Sequence, residues 1–195
     1  MAIRDEVARR GVHASGTAIP LAYLLAPEPI TWTVVQGFLL VGLAVALALE
    51  VVRLYVGLDW AIYDRLTREY EQDNLAGYFL YAVGMTVVGL AFGPRTAVPA
   101  MLMLTVADPL SGLLGSGELG RKRLWVLLAT FGVATLLAVP FVPPLAAALG
   151  GAAATVADGI KPAIRGYVID DNLSIPVLAA VAMDVGLEFL PTVAA

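Results

Sequence analysis

Cysteine is absent from this chain, and histidine occurs once, at position 13. No disulfide, thiolate metal site or cysteine nucleophile can form, and a histidine-rich metal centre is excluded. Charge is also scarce. Only 14% of the 195 residues are charged, against about a quarter in a soluble domain. The only lysines are Lys122 and Lys161, both in polar loops. A retinal-type protein, which needs a lysine in its last helix, is therefore excluded. What the chain has in quantity is apolar surface: 59% of residues are hydrophobic and the mean hydropathy is +0.84. A core of this size cannot hide that much, so the composition predicts an integral membrane protein. Residues 1–10 are polar and lead into no clean apolar core with a small-residue cleavage site, so no cleavable signal peptide is expected.

Seven apolar segments stand out, at about Val12–Ala26, Thr31–Val56, Leu75–Phe92, Thr96–Leu114, Leu124–Val142, Leu145–Val156 and Leu173–Leu190. The sixth is rich in Ala and Gly, which suits close helix packing. The expected fold is an all-α integral membrane protein of about seven transmembrane helices, a single domain over residues 1–195. With seven spans, Arg4, Arg9, Arg10, Arg53, Arg65, Arg68, Arg121, Lys122, Arg123, Lys161 and Arg165 share one side, and only Arg95 falls on the other. The positive-inside rule then puts the N-terminus and these loops in the cytoplasm. The expected location is the cell membrane, multi-pass, with the polar site facing the cytoplasm.

The most informative stretch is 107–123, Ala-Asp-Pro-Leu-Ser-Gly-Leu-Leu-Gly-Ser-Gly-Glu-Leu-Gly-Arg-Lys-Arg. An acid at the end of an apolar segment is costly in lipid and marks a functional candidate. Asp108 is read as a ligand for a nucleotide-bound cation or as a base for an attacking hydroxyl. Gly112 and Gly115 can cradle phosphate through backbone N–H groups, or Ser111 and Gly115 can serve as a small-xxx-small packing pair. Arg121, Lys122 and Arg123 can neutralise phosphate or simply anchor topology. Asp170-Asp171-Asn172-Leu-Ser-Ile-Pro176 opens the last span. Asp171 or Asn172 is a good N-cap with Pro176 just inside, but a cap explains one polar residue and not three. Asp158 lies one loop upstream and can join a metal or phosphate site with Asp108 and Asp170. These acids and Asn172 are expected to gather at one membrane face with the 112–123 loop. Arg10, His13, Arg68 and Glu69 are further candidates.

Taken together these motifs resemble the polyprenol kinase family, which includes dolichol, phytol and farnesol kinases. Arg9-Arg10-Gly-Val-His13-Ala-Ser-Gly16 resembles the family's opening signature, and Glu50 with Arg53 fits its second helix. Arg68-Glu69 and Gly77 resemble its next loop and helix start. Ala107-Asp108-Pro109 with Gly112 and Gly115 is similar to its Gly-Asp…Gly motif, and 170–176 is similar to its Asp-Asp-Asn-Leu-Thr-Ile-Pro. The chain departs in having Ala107 for glycine, Asp158 for glutamate, and Leu124-Trp125 where a Glu-Gly-Ser is expected after the cations. The resemblance implies phosphorylation of a membrane isoprenoid alcohol from CTP or another nucleoside triphosphate, with Mg2+ as cofactor. Asp108 and Asp171 would be catalytic, with Asp108, Asp158 and Asp170 as metal ligands. Gly112, Gly115, Arg121, Lys122, Arg123 and Asn172 would bind nucleotide phosphate. The implied partners are the bilayer, the alcohol and the nucleotide, with no nucleic acid; a homo-oligomer is compatible with this. Ten arginines against two lysines and a sequence pI near 4.9 suggest an archaeal, salt-adapted origin.

Three alternatives stay open. A CDP-alcohol synthase or cytidylyltransferase would use nucleotide at the same surface, but the signatures of both are absent. A transporter would show polar residues at mid-membrane and paired repeats. A non-catalytic relative would bind a lipid or a partner.

Overall fold

A computed structural model of the chain describes residues 10–57, 74–115, 122–160, 163–164, 167–168 and 170–189. Residues 10–15 are helical, and a turn at 16–17 separates them from α1 (Ala18–Leu25). Then come α2 (Trp32–Val51), which runs on into a π-helical turn (Val52–Val56), α3 (Gly77–Ala91) and α4 (Pro94–Leu102). A second π-helical segment (Met103–Ala107) joins α4 to α5 (Asp108–Leu114). The chain closes with α6 (Leu124–Ala138), α7 (Pro144–Gly159), a hairpin of β1 (Ala163–Ile164) and β2 (Tyr167–Val168), and α8 (Asp171–Phe189). Among the described residues the regular elements are thus helices apart from that hairpin of two-residue strands, in which Ala163 pairs with Val168.

Three stretches are long and apolar enough to cross a membrane: Trp32–Val56, Pro94–Leu114 and Asp171–Phe189. Helices α3 and α6 are apolar but have only 15 residues each, about 22 Å of helix against a hydrocarbon core of about 30 Å. The first expected span does not form one helix. It breaks at Gly16-Thr17, where the Tyr81 hydroxyl lies so close that a Cβ on Gly16 would collide with it.

Pro94–Leu114 is the most enclosed of the three long stretches and forms the centre of the molecule; Trp32–Val56, at the periphery, is the least. Antiparallel α7 and α8 pack along each other, with Gly150 against Met183, and α6 packs on the other side of α7. Small residues set these distances: Ala146, Ala147, Ala154, Ala157, Ala179 and Ala180 are all buried, and the absence of bulk lets backbones approach. Gly84 does the same for α3. A Cβ there would sit 2.7 Å from the Asn172 carbonyl oxygen, so only glycine lets α3 reach the first turn of α8.

The π segment has a local cause. The Asp108 amide donates to the Met103 carbonyl, a five-residue step. The next bond in that register would run from residue 109 to the Leu104 carbonyl, but Pro109 has no N–H. A π turn carries about one residue more than an α turn, so it rotates everything after it by about 100°. Asp108 is the first residue past it.

Candidate functional site

Three carboxylates that are far apart in sequence converge. Asp108 opens α5, Asp158 lies near the end of α7 and Asp171 opens α8. One ligand oxygen from each lies within 4.8 Å of the others. Asp158 and Asp171 are buried, and Asp108 is partly accessible. Oxygen donors in this number suit a hard divalent cation such as Mg2+. The expected gathering of Asp108 and Asp171 at one site is therefore present in the geometry.

Around the trio lie a lysine, a serine, an arginine and the histidine. Lys122, just ahead of α6, forms an ion pair with Asp158 Oδ1 and donates to Ser111 Oγ at 2.9 Å. Ser111 Oγ donates to Asp158 Oδ2 at 2.6 Å, so both oxygens of this buried carboxylate are engaged. Arg10 Nη1 donates to the Pro109 carbonyl at 3.2 Å, and its guanidinium lies where a Cβ on Gly112 would be. Gly112 thus makes room for the Arg10 guanidinium. His13 Nε2 lies 2.9 Å from the Leu104 carbonyl oxygen and 3.6 Å from Asp108 Oδ2. The ring of Tyr81 meets His13 edge-on at 4.8 Å.

The first turn of α8 differs from expectation in one respect. Asp170, not Asp171 or Asn172, holds the capping place: its Oδ1 accepts the Asn172 N–H at 2.9 Å, as an N-cap does. The Asn172 side-chain amide donates to the same oxygen at 2.5 Å. This leaves Asp171, rather than Asp170, as the α8 carboxylate in the converging trio. Asn172 Oδ1 is buried and has no hydrogen-bond partner among the described residues. Gly115 ends α5 with extended backbone, and Arg123 is exposed at the N-cap of α6. Arg68, Glu69 and Arg121 lie outside the described residues, so the geometry does not bear on them.

Ser111 and Tyr81 are also part of this picture. The small-xxx-small spacing marks Ser111 as a packing residue, and its place three residues after Asp108 is its one signal of anything more; no sequence signal marks Tyr81. A second buried ionic group lies apart from the trio. Glu50, 2% exposed, accepts from Arg53 Nε and Nη2 at 3.0 and 2.7 Å, from Tyr78 Oη at 2.6 Å and from the Ala76 N–H at 2.8 Å. Arg53 also donates to the Asn74 carbonyl. This group ties the end of α2 to the start of α3.

No protein family, curated protein or solved structure matches this chain.

Proposed function

We propose that the chain is a multi-pass membrane phosphotransferase. It moves the terminal phosphoryl group of a nucleoside triphosphate, CTP by the resemblance, to the hydroxyl of an isoprenoid alcohol. The observation that carries this reading is the convergence of Asp108, Asp158 and Asp171 from three separate helices, with Lys122 and Arg10 beside them. Phosphoryl transfer asks little of a protein beyond positioning and charge neutralisation. Carboxylates that hold a cation next to basic side chains are the parts it requires. Mg2+ held by these carboxylates would supply positive charge to offset what develops on the phosphates.

Asp108, Asp158 and Asp171 would hold the ion through one oxygen each, and the buried side-chain Oδ1 of Asn172 is a neutral donor one residue from Asp171. Asp108 is the most accessible of the three carboxylates, and we assign its other oxygen the proton of the acceptor hydroxyl. Lys122 and Arg10 would neutralise the nucleotide phosphates. The alcohol's tail would stay in lipid while its hydroxyl reaches the site. We further propose seven membrane-crossing segments with the N-terminus in the cytoplasm, supported by the sidedness of the cations. The short α3 and α6 would then cross where neighbours enclose them or where the bilayer thins.

The test is purified protein in lipid with Mg2+, a panel of prenols, and CTP, ATP or GTP labelled at the terminal phosphate. Labelled lipid phosphate that disappears on chelation of the cation is expected. Label in no lipid product under any combination would overturn the enzymatic reading and favour a lipid-binding or partner-binding protein.

A further inference from the structure

The π register leaves the Leu104 carbonyl without a backbone donor. In the register set by Asp108 N–H to Met103 O, its own donor would be residue 109, and Pro109 has none. A buried carbonyl without a donor is costly. The partner it finds comes from 91 positions away: the imidazole Nε2 of His13, at 2.9 Å. A carbonyl only accepts, so Nε2 carries the proton. The same nitrogen lies 3.6 Å from Asp108 Oδ2, on the opposite side of the break. Two further contacts fix the imidazole. Tyr81 packs edge-on against it, and the Tyr81 hydroxyl donates to the His13 carbonyl at 3.4 Å. Arg10, one turn earlier, donates to the carbonyl of Pro109 itself. Two side chains of the N-terminal helical turn therefore bond the backbone on either side of Asp108.

We propose that His13 replaces the backbone donor that Pro109 lacks, and so holds the π segment that turns Asp108 toward Asp158 and Asp171. His13 is thus a positioning residue and not a proton carrier: its Nε2 proton is committed to the Leu104 carbonyl. Without that bond the segment can relax toward a regular α-helix, which would rotate Asp108 by about 100° and separate it from the other two carboxylates. The geometric part of this inference stands by itself, and only its effect on cation binding rests on the proposed function.

Two experiments test it. His13 is the only histidine in the chain, so nitrogen NMR of imidazole-labelled protein in detergent at mildly alkaline pH reports on it alone. The expected signal is the Nε2–H tautomer; an Nδ1–H tautomer would overturn the proposal. The second is a double-mutant cycle of His13→Ala and Pro109→Ala, read by Mn2+ binding to the nucleotide-free protein. Alanine at 109 restores an N–H that can serve Leu104. His13→Ala should weaken Mn2+ by about 10-fold or more in the native background, the scale seen when a group orienting a metal ligand is lost. The same change should cost under about threefold when Pro109→Ala is present, because the two sites are coupled. His13→Gln, which keeps an amide donor, should recover part of the affinity. Equal losses in both backgrounds would overturn the proposal. If wild-type protein bound no Mn2+, the cation site would fail, and the tautomer would still decide this inference.

Discussion

Removing the charge of Lys122 should be far more damaging than removing that of its partner. The two side chains are unequally placed: Asp158 is 1% exposed and Lys122 19% exposed. In Lys122→Met the buried carboxylate keeps, among the described residues, only the Ser111 hydroxyl as a donor. Breaking a buried pair from one side costs about 3–5 kcal/mol. The remaining Ser111 bond puts this case at the lower end, about 3 kcal/mol. Asp158→Asn is different, because the lysine stem is long and its ammonium can swing out toward exposed Arg123 and water. That change should cost about 1 kcal/mol, the scale of one ordinary hydrogen bond. For a chain of this length each kcal/mol shifts Tm by roughly 2–4 °C. Lys122→Met should therefore melt roughly 6–12 °C lower, Asp158→Asn about 2–4 °C lower, and the double variant close to Asp158→Asn. Thermal unfolding in detergent, followed by circular dichroism, reads all three. Saturating Mg2+ should raise the Tm of Lys122→Met more than that of wild type, because a cation then compensates Asp158 without competing with the ammonium. A cation at 100 times its Kd stabilises by about 2.7 kcal/mol, enough to offset most of the loss. Equal shifts for the two single variants, or a Lys122→Met shift under about 2 °C, would refute the burial argument.

Asp108→Asn and Asp171→Asn should each lower lipid phosphorylation by at least about 100-fold, while the exposed Asp184→Asn and Glu28→Gln leave it near wild type; normal activity in both of the first two would put the site elsewhere. Gly84→Ala places a Cβ 2.7 Å from the Asn172 backbone oxygen, which a helix start cannot avoid by a side-chain rotation. It should cost about 1–3 kcal/mol and lower activity, both measured on purified protein. Glu50→Gln removes the negative charge that the nearly buried Arg53 pairs with and should lower Tm by an amount similar to Lys122→Met, yet activity per folded molecule should stay unchanged in the phosphorylation assay.

Much of this arrangement could be read from the chain because lipid makes polar residues conspicuous. Asp108 stands out by the cost of an acid at the end of an apolar run, Asp171 by belonging to three consecutive polar residues where a cap explains one, and Asp158 by lying one loop upstream of them. The helical segments followed from the same runs, and six of the seven formed as helices close to the expected limits. The break at Gly16-Thr17 was hidden because its cause is Tyr81, 65 positions away in sequence. The π segment was hidden for a related reason. Pro109 removes one donor, which a sequence shows, but whether the helix kinks, ends or widens depends on what reaches the freed carbonyl. Here that is His13, a site candidate that no sequence pattern connects to Pro109. Gly112, a candidate phosphate cradle, also makes room for the guanidinium of Arg10, a residue just over a hundred positions earlier. The capping place at α8 was misjudged by one residue, because Asp170, Asp171 and Asn172 all suit it and only the direction of the chain entering the helix selects Asp170.

The two buried ionic groups invite opposite interpretations, and geometry separates them. Glu50 faces one arginine, one tyrosine and one backbone amide, all on α2 or at the start of α3. One negative charge meets one positive charge, the hydrogen bonds are short, and the result is a clamp between two consecutive helices. The Asp108, Asp158 and Asp171 group is built otherwise. Three like charges are drawn together from three separate helices, α5, α7 and α8. At 4.8 Å, and with an effective dielectric constant of 20, each ionised pair repels by about 3.5 kcal/mol. Lys122 offsets this directly at Asp158. A fold seeking only stability would place alanine or serine at such positions, as it does along the rest of α7. Instead π-helical backbone, a proline and a histidine from the far end of the chain are all spent on bringing Asp108 into the group. That combination of electrostatic cost and dedicated support is what a cation site requires and a structural clamp does not.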